Sequence, residues 1–199
     1  CHSKSQEEIN ELLVELGRQG KRVVRLKSGD PLVYGRAGEE MAALRAAGIT
    51  YEVVPGITSA FAAAADFELP LTLRGVASSL VFTRGHDLTG DVLPDWASLA
   101  VSGATIAVYM GRTVAASVAE RLMQAGIPAE TTVAVIENAS RADRRLLHGI
   151  LRDLPDLQHR DELTGPVMVI IGDAVAGANF ELSEPLVRER ARFDELARS

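Results

Sequence analysis

Between Ser5 and Gly17 the apolar positions Ile9, Leu12, Leu13 and Leu16 recur at helical spacing, with charged residues between them. Ser5 followed by Glu8 has the form of a capping box, so a helix is predicted to start there and to stop at Gly17 and Gly20. The pattern then shortens to a β-branched segment, Lys21–Lys27 (KRVVRLK), which predicts a strand closed by Gly29-Asp30-Pro31. Helical composition returns over Arg36–Ala47 and ends at Gly48, and Thr50–Val54 (TYEVV) predicts a second strand before Pro55-Gly56. Ile57–Ala65 is alanine-rich and apolar nearly all round, which predicts a helix buried between layers, with Pro70 preventing its continuation.

From Ser78 a new series begins. It comprises a strand (SSLVFTRG), a Pro-Asp-Trp loop, a strand (ATIAVYMG), a helix over Thr113–Gln124 and a strand (TTVAVIEN), with further candidate strands over Arg144–Leu151 and Val167–Gly172. Alternating strands and helices imply an α/β fold with a mostly parallel sheet. The first series ends near Leu73–Ala77, so two α/β domains are expected, residues 1–75 and 76–199.

Composition narrows the function. The chain has 199 residues, is 47% hydrophobic, and carries 27 acidic against 21 basic side chains, a formal charge of −6. This is enough apolar material for a core, and the acidic balance disfavours a nucleic-acid partner. No apolar run approaches a membrane span, and the opening CHSKSQEEIN is too polar for a signal peptide, so no membrane association and a cytoplasmic location are expected. Cys1 is the single cysteine and the four histidines have no metal-ligand spacing, so no metal is expected. The chain opens on Cys1 without a methionine, and is expected to be part of something longer.

In open α/β sheets ligands collect beyond the carboxyl ends of strands, which selects four loops: Ser28–Gly38, Pro55–Ser59, Tyr109–Thr113 and Glu137–Ser140. Each contains a small residue, Gly29, Gly56, Gly111 or Ala139, that lets a ligand approach the backbone. Gly-Asp-Pro on its own is common turn chemistry: Asp30 could accept hydrogen bonds from ribose hydroxyls or ligand amines, or cap the next turn. Arg36 has two readings, a surface ion pair with Glu39 or Glu40, or, with Arg84 and Arg112, a clamp for an anionic ligand. His86 reads as a loop histidine whose titration range permits proton transfer, and Met110 as a core residue or an apolar wall against a flat ligand. There is no G-x-G-x-x-G fingerprint and no Walker loop.

Taken together and in order, VVRLKSGDPLVYGRAGEE, VVPGITSAFAAAA, PLTLRG, TRGHDLTG, VYMG and ENAS resemble the uroporphyrinogen-III C-methyltransferases, within the wider class of tetrapyrrole methyltransferases. The resemblance runs over nearly the whole chain. It implies two α/β domains with a cleft between them for S-adenosyl-L-methionine, which leaves as S-adenosyl-L-homocysteine. By this resemblance Ser28, Gly29, Asp30, Val33, Thr58, Ser59, Met110 and Ala139 contact the cofactor, while Arg36, Glu39 and Met110 meet the tetrapyrrole. His86 lies in a family Gly-His pair near the substrate side. The family usually has glycine where Ser28, Ala37 and Ala139 stand; all three are small. Family members begin with a strand and a glycine-rich loop, followed by an aspartate and a lysine proposed as acid and base. Those features are expected to precede Cys1, so no proton-transfer residue is carried over and His86 is the candidate within the chain.

The implied reaction is methylation of uroporphyrinogen III at two pyrrole carbons, giving precorrin-2 on the way to sirohaem and cobalamin, by a homodimer. The alternatives are another precorrin methyltransferase of the same fold, an RNA methyltransferase of that fold, which the charge disfavours, and a non-catalytic ligand-binding fragment.

Overall fold

A computed structural model describes residues 4–88 and 103–187, in two compact units, Cys1–Ser59 and Ala60–Ser199. The predicted Pro-Asp-Trp loop lies outside the described residues.

In the first unit, helix α1 (Gln6–Arg18) starts where the capping box predicts. The Glu8 amide donates to Ser5 Oγ at 3.2 Å and the Ser5 amide donates to Glu8 Oε2 at 2.6 Å. α1 packs against α2 (Ala37–Ala46), which is entered through Arg36 in a left-handed conformation, φ 56°. The two predicted strands of this unit differ from expectation: neither Lys21–Lys27 nor Thr50–Val54 forms a sheet ladder among the described residues. A strand exists only when a neighbour takes its N–H and C=O groups, and among the described residues no strand lies alongside these segments to do so. Val24, Leu26 and Val54 are accordingly 74%, 81% and 73% exposed.

The second unit is built on a six-stranded sheet. Its strands are β1 (Leu80–Arg84), β2 (Thr105–Tyr109), β3 (Thr132–Glu137), β4 (Arg145–Ile150), β5 (Val167–Ile171) and the short β6 (Glu184–Pro185), in the order β1-β2-β5-β3-β4-β6. The sheet is mixed, where alternation had implied a mostly parallel one. β1 runs parallel to β2 and β4 to β6, but β5 lies antiparallel between β2 and β3, and β3 pairs antiparallel with β4. The short β3–β4 connection permits only a hairpin, and β5 fills the gap left by the crossover from β2 to β3. Because β2 and β3 both oppose β5, β1, β2 and β3 all point the same way, and their carboxyl ends share one edge of the sheet.

Helix α4 (Ala115–Gln124), preceded by a tight turn at Arg112–Val114, covers one face of this sheet. Its Val118, Ala119 and Leu122 pack with Ile106, Val108, Val133, Val135, Leu147 and Val169, joined by Leu151, Leu154 and Leu157 from a 3-10 run over Leu151–His159 that the sequence reading did not anticipate. α3 (Ser59–Asp66) begins at the last residue of the first unit and ends before Pro70. Ala60, Ala63 and Ala64 are buried, but Phe61 is 49% exposed, so the helix buries one face rather than its whole circumference. Phe61, Phe82 and Tyr109 form an edge-to-face series, with ring centroids 5.6 and 5.8 Å apart. No helix among the described residues is long and apolar enough to cross a membrane.

Leu122 is fully buried in the middle of the α4 contact. Leu122→Ala is expected to lower unfolding free energy by about 2–5 kcal/mol in a denaturant titration, the range for leaving a cavity at a packed leucine.

Candidate functional site

The two loops chosen from the sequence of the first unit meet. Asp30 Oδ2 accepts the Gly56 amide at 3.0 Å, and Oδ1 accepts the Leu32 amide at 2.8 Å. Asp30 thus caps its own turn and also joins Ser28–Gly38 to Pro55–Ser59. These amides, Gly56 first and then Leu32, hold its carboxyl below the usual aspartate range. Gly29 is left-handed, φ 68°, and lies against the Ile57 carbonyl and Ser59. Opposite it, a Cβ at Gly56 would run into the Gly29 carbonyl, so glycine is required there by close approach of two backbones. Ser28 and Ser59 are exposed beside this junction, Thr58 is buried, and Val33, half-buried, donates its amide to the Asp30 carbonyl at 3.2 Å.

α2 carries two adjacent glutamates with different tasks. Glu39 is exposed and receives Arg36 through two hydrogen bonds, Nε to Oε1 at 2.7 Å and Nη2 to Oε2 at 2.8 Å. This is the ion pair that one of the two sequence readings anticipated, and the Arg36 hydrogen bonds hold the Glu39 carboxyl below its ordinary value. Glu40 is buried instead and faces the other way. Lys27 Nζ donates to both of its oxygens at 3.0 Å, Arg25 Nε lies 3.2 Å away, and Gln6 Nε2 donates from α1 at 3.3 Å. Burial opposes ionisation of Glu40, yet Lys27, Gln6 and Arg25 together keep its carboxyl below the ordinary value.

In the second unit the loops after β1, β2 and β3 leave the same sheet edge, as their strand directions require. The turn after β1 contains Gly85 and exposed His86. A Cβ on Gly85 would stand 2.8 Å from the Gly111 Cα, so this turn is packed onto the one after β2. There Met110 is left-handed, φ 53°, and 54% exposed; it is a surface residue of the loop rather than part of the core. After β3, Asn138 and Ser140 are both left-handed, with half-buried Ala139 between them. Asp66 at the end of α3 accepts the Ser140 amide, and buried Glu137 accepts the Gly165 amide at 2.7 Å. Asn138 Nδ2 donates to Asp143 at 2.9 Å. Uncommon left-handed backbone at non-glycine residues costs about 1–3 kcal/mol each and persists where the surroundings over-determine it, as these carboxylates do.

One reading is corrected. Arg112 is no part of an anion clamp: its guanidinium donates to the Arg160 carbonyl at 3.0 Å and to the Leu163 carbonyl, tying the turn after β2 to the chain that follows the 3-10 run. Arg84 is exposed and holds Asp87 through bonds of 3.0 and 2.8 Å. Sequence reasoning missed Asp66 and Glu137 as loop supports, and nothing in the local pattern marks them, since their acceptor role depends on residues far along the chain. Among the described residues no group of three or more His, Cys, Asp or Glu side chains is placed to hold a metal ion.

The chain matches the family model of the tetrapyrrole (corrin/porphyrin) methylases over residues 1–155. It is 46% identical over 178 residues to a sirohaem synthase of Tolumonas auensis, covering 89% of this chain and 38% of that protein. A sirohaem synthase of Serratia proteamaculans is 49% identical over 176 residues, covering 88% of this chain and 36% of that one. The chain therefore spans less than two-fifths of these relatives. Among solved structures, uroporphyrin-III C-methyltransferase of Thermus thermophilus superposes with a TM-score of 0.75 at 39% identity, over 86% of this chain and 73% of that one. The same enzyme complexed with S-adenyl homocysteine gives 0.72 at 35% identity, over 86% and 74%. A cobalt precorrin-4 methyltransferase gives 0.76 at 31% identity, over 87% and 73%.

The Asp30 junction makes a direct test. Asp30→Ala is expected to speed amide hydrogen exchange at Gly56 and Leu32 by about tenfold or more, as expected when two charge-assisted bonds are lost. With a depressed folded-state pKa, the junction is complete at neutral pH and is lost as pH falls through that pKa. Amide exchange followed by NMR at falling pH would show protection of Gly56 disappearing only below the usual aspartate range.

Proposed function

The chain belongs to the tetrapyrrole methylases, and from that premise we propose that it forms the methyl-transferring part of a protein that uses S-adenosyl-L-methionine to C-methylate uroporphyrinogen III, giving precorrin-2 for sirohaem or cobalamin. The observation that carries the reading is the Asp30 junction: two loops chosen for a cofactor are bound to each other by one carboxylate, with glycine on both sides of the contact.

The residues suit the ligand's chemistry. Ser28, Gly29 and Asp30, with Thr58 and Ser59, offer small side chains, hydroxyls and backbone to a ribose and an amino-acid end, and Val33 adds an apolar wall. Met110 and Ala139 are proposed as further cofactor contacts, an apolar side chain and a small residue. When bound, S-adenosyl-L-methionine supplies an electrophilic methyl group on sulfur. The pyrrole carbon brings its own electrons, so the protein's work is to orient the partners and exclude water, and no protein nucleophile is required. Arg36, already oriented by Glu39, provides a guanidinium fork for a substrate carboxylate, and Glu39 and Met110 are proposed as further substrate contacts. His86 is the candidate within the chain for proton handling. The family match and the sirohaem synthase relatives support the methyltransferase reading over a non-catalytic fragment, and a cytoplasmic homodimer is the form proposed for it.

Calorimetric titration with S-adenosyl-L-homocysteine is expected to give one site per chain. Asp30→Ala should weaken it by about tenfold or more, in line with loss of charge-assisted bonds. Arg36→Ala should depress turnover of uroporphyrinogen III, read by product analysis, more than cofactor affinity. Unchanged affinity in Asp30→Ala, or an Arg36→Ala variant that loses cofactor binding first, overturns these assignments. Product methylated at other ring positions would identify a different precorrin methyltransferase.

A further inference from the structure

The loop Ser28–Gly35 is fixed at both ends by one helix. Its exit, Arg36, is held by Glu39, and its entry, Lys27, is held by Glu40, the next residue of α2. The two contacts differ in kind. The Arg36–Glu39 pair is exposed on both sides, at 58% and 49% of side-chain area, where solvent screens it. The Lys27–Glu40 pair is enclosed, at 11% and 7%, so neither charge has water to fall back on.

We propose that Glu40 is a positioning residue for the cofactor loop: by holding Lys27 against α2 it fixes where Ser28 begins, and so places Asp30 within reach of the Gly56 amide. The proposal rests on the cofactor role given above to Ser28–Asp30. All the polar groups that face the carboxylate belong to this device. Gln6 comes from α1, where it also donates to Asn10 Oδ1 at 3.0 Å, while Arg25 and Lys27 come from the segment leading into the loop. Arg25 in turn donates to the Leu26 carbonyl at 2.8 Å, so the cations are tied to the backbone that they position. Glu40 therefore gathers α1, α2 and the approach to the loop on one buried anion. Gly35 adds a packing link, because a Cβ there would lie 3.2 Å from Lys27 Cε, so the far end of the loop rests on the same lysine stem.

The test uses Glu40→Gln, Lys27→Met, Lys27→Arg and the Lys27→Met/Glu40→Gln double variant, read by amide exchange and by S-adenosyl-L-homocysteine calorimetry. Glu40→Gln and Lys27→Met should each speed exchange at Leu32, Val33 and Gly56 by about tenfold or more, as for a buried charge losing its partner. Amides of α1 from Leu13 to Arg18 should keep their protection. The double variant should be no worse than the worse single one, the mark of a coupled pair, and Lys27→Arg should keep the loop protected. Cofactor affinity should fall with loop protection, while turnover at saturating cofactor stays within about twofold, a split that general destabilisation does not produce. If Glu40→Gln does not fold, the contrast between Lys27→Met and Lys27→Arg decides the matter. Loss of protection in α1 and the loop alike, or loop amides unchanged in both single variants, overturns the proposal. Absence of homologue binding by the unsubstituted protein would instead overturn the cofactor reading, and the exchange results would still decide the role of Glu40.

Discussion

Backbone amides that leave a helix or sheet still need acceptors, and in this chain carboxylates meet that need at the loops that matter. Asp30 takes Gly56 and Leu32, Asp66 takes Ser140, Glu137 takes Gly165, and Asp153 takes Ile150 at 3.2 Å. At the first three carboxylates a side chain does for a loop what a ladder does for a strand, and at Ile150, the last residue of β4, it closes the strand's end. Ionised carboxylates suit the task because they accept without donating and form stronger bonds than a neutral acceptor. Part of the acidic excess is thus internal scaffolding, which the net charge alone does not reveal.

Five of the six strands of the second unit were readable from apolar runs bounded by turns, and in the central ones Val133, Val135 and Ile170 leave almost no surface; the two-residue β6 carries no such run. Helix α1 was readable from its cap, because the Ser5–Glu8 reciprocity is local. Strand direction was not readable. Val167–Ile171 has the same composition whichever way it runs, and its antiparallel place between β2 and β3 is decided by connections elsewhere. The two would-be strands of the first unit have β-branched sequence without ladder partners, because propensity describes one chain segment and a ladder needs two.

The candidate site divides along the same line. Gly29 and Gly56 were read as room for a ligand beside the backbone; in the structure they also let the two loops approach each other, with Asp30 joining them. Arg112 carried the same anion-binding signal as Arg36, yet it is committed to two carbonyls, one at Leu163 and one at Arg160. Glu39 and Glu40 are identical and adjacent, but one faces water and the other is enclosed, a difference set by the docking of α1 and the Arg25–Lys27 segment on α2. Local chemistry names candidates, and only tertiary neighbours say which face solvent.

The bare Val24, Leu26 and Val54 side chains have a colloidal consequence. Exposed apolar, β-prone segments are the parts of a protein that self-associate most readily unless charge is set among them. The apolar residues between 21 and 27 are interrupted and flanked by Lys21, Arg22, Arg25 and Lys27. Positive charge interspersed among the apolar residues disfavours close approach of a second copy, the role of a gatekeeper. Lys27 is enclosed against Glu40, while Arg25 reaches the same carboxylate and keeps part of its side chain exposed, so the outward charge of this segment rests on Lys21, Arg22 and Arg25.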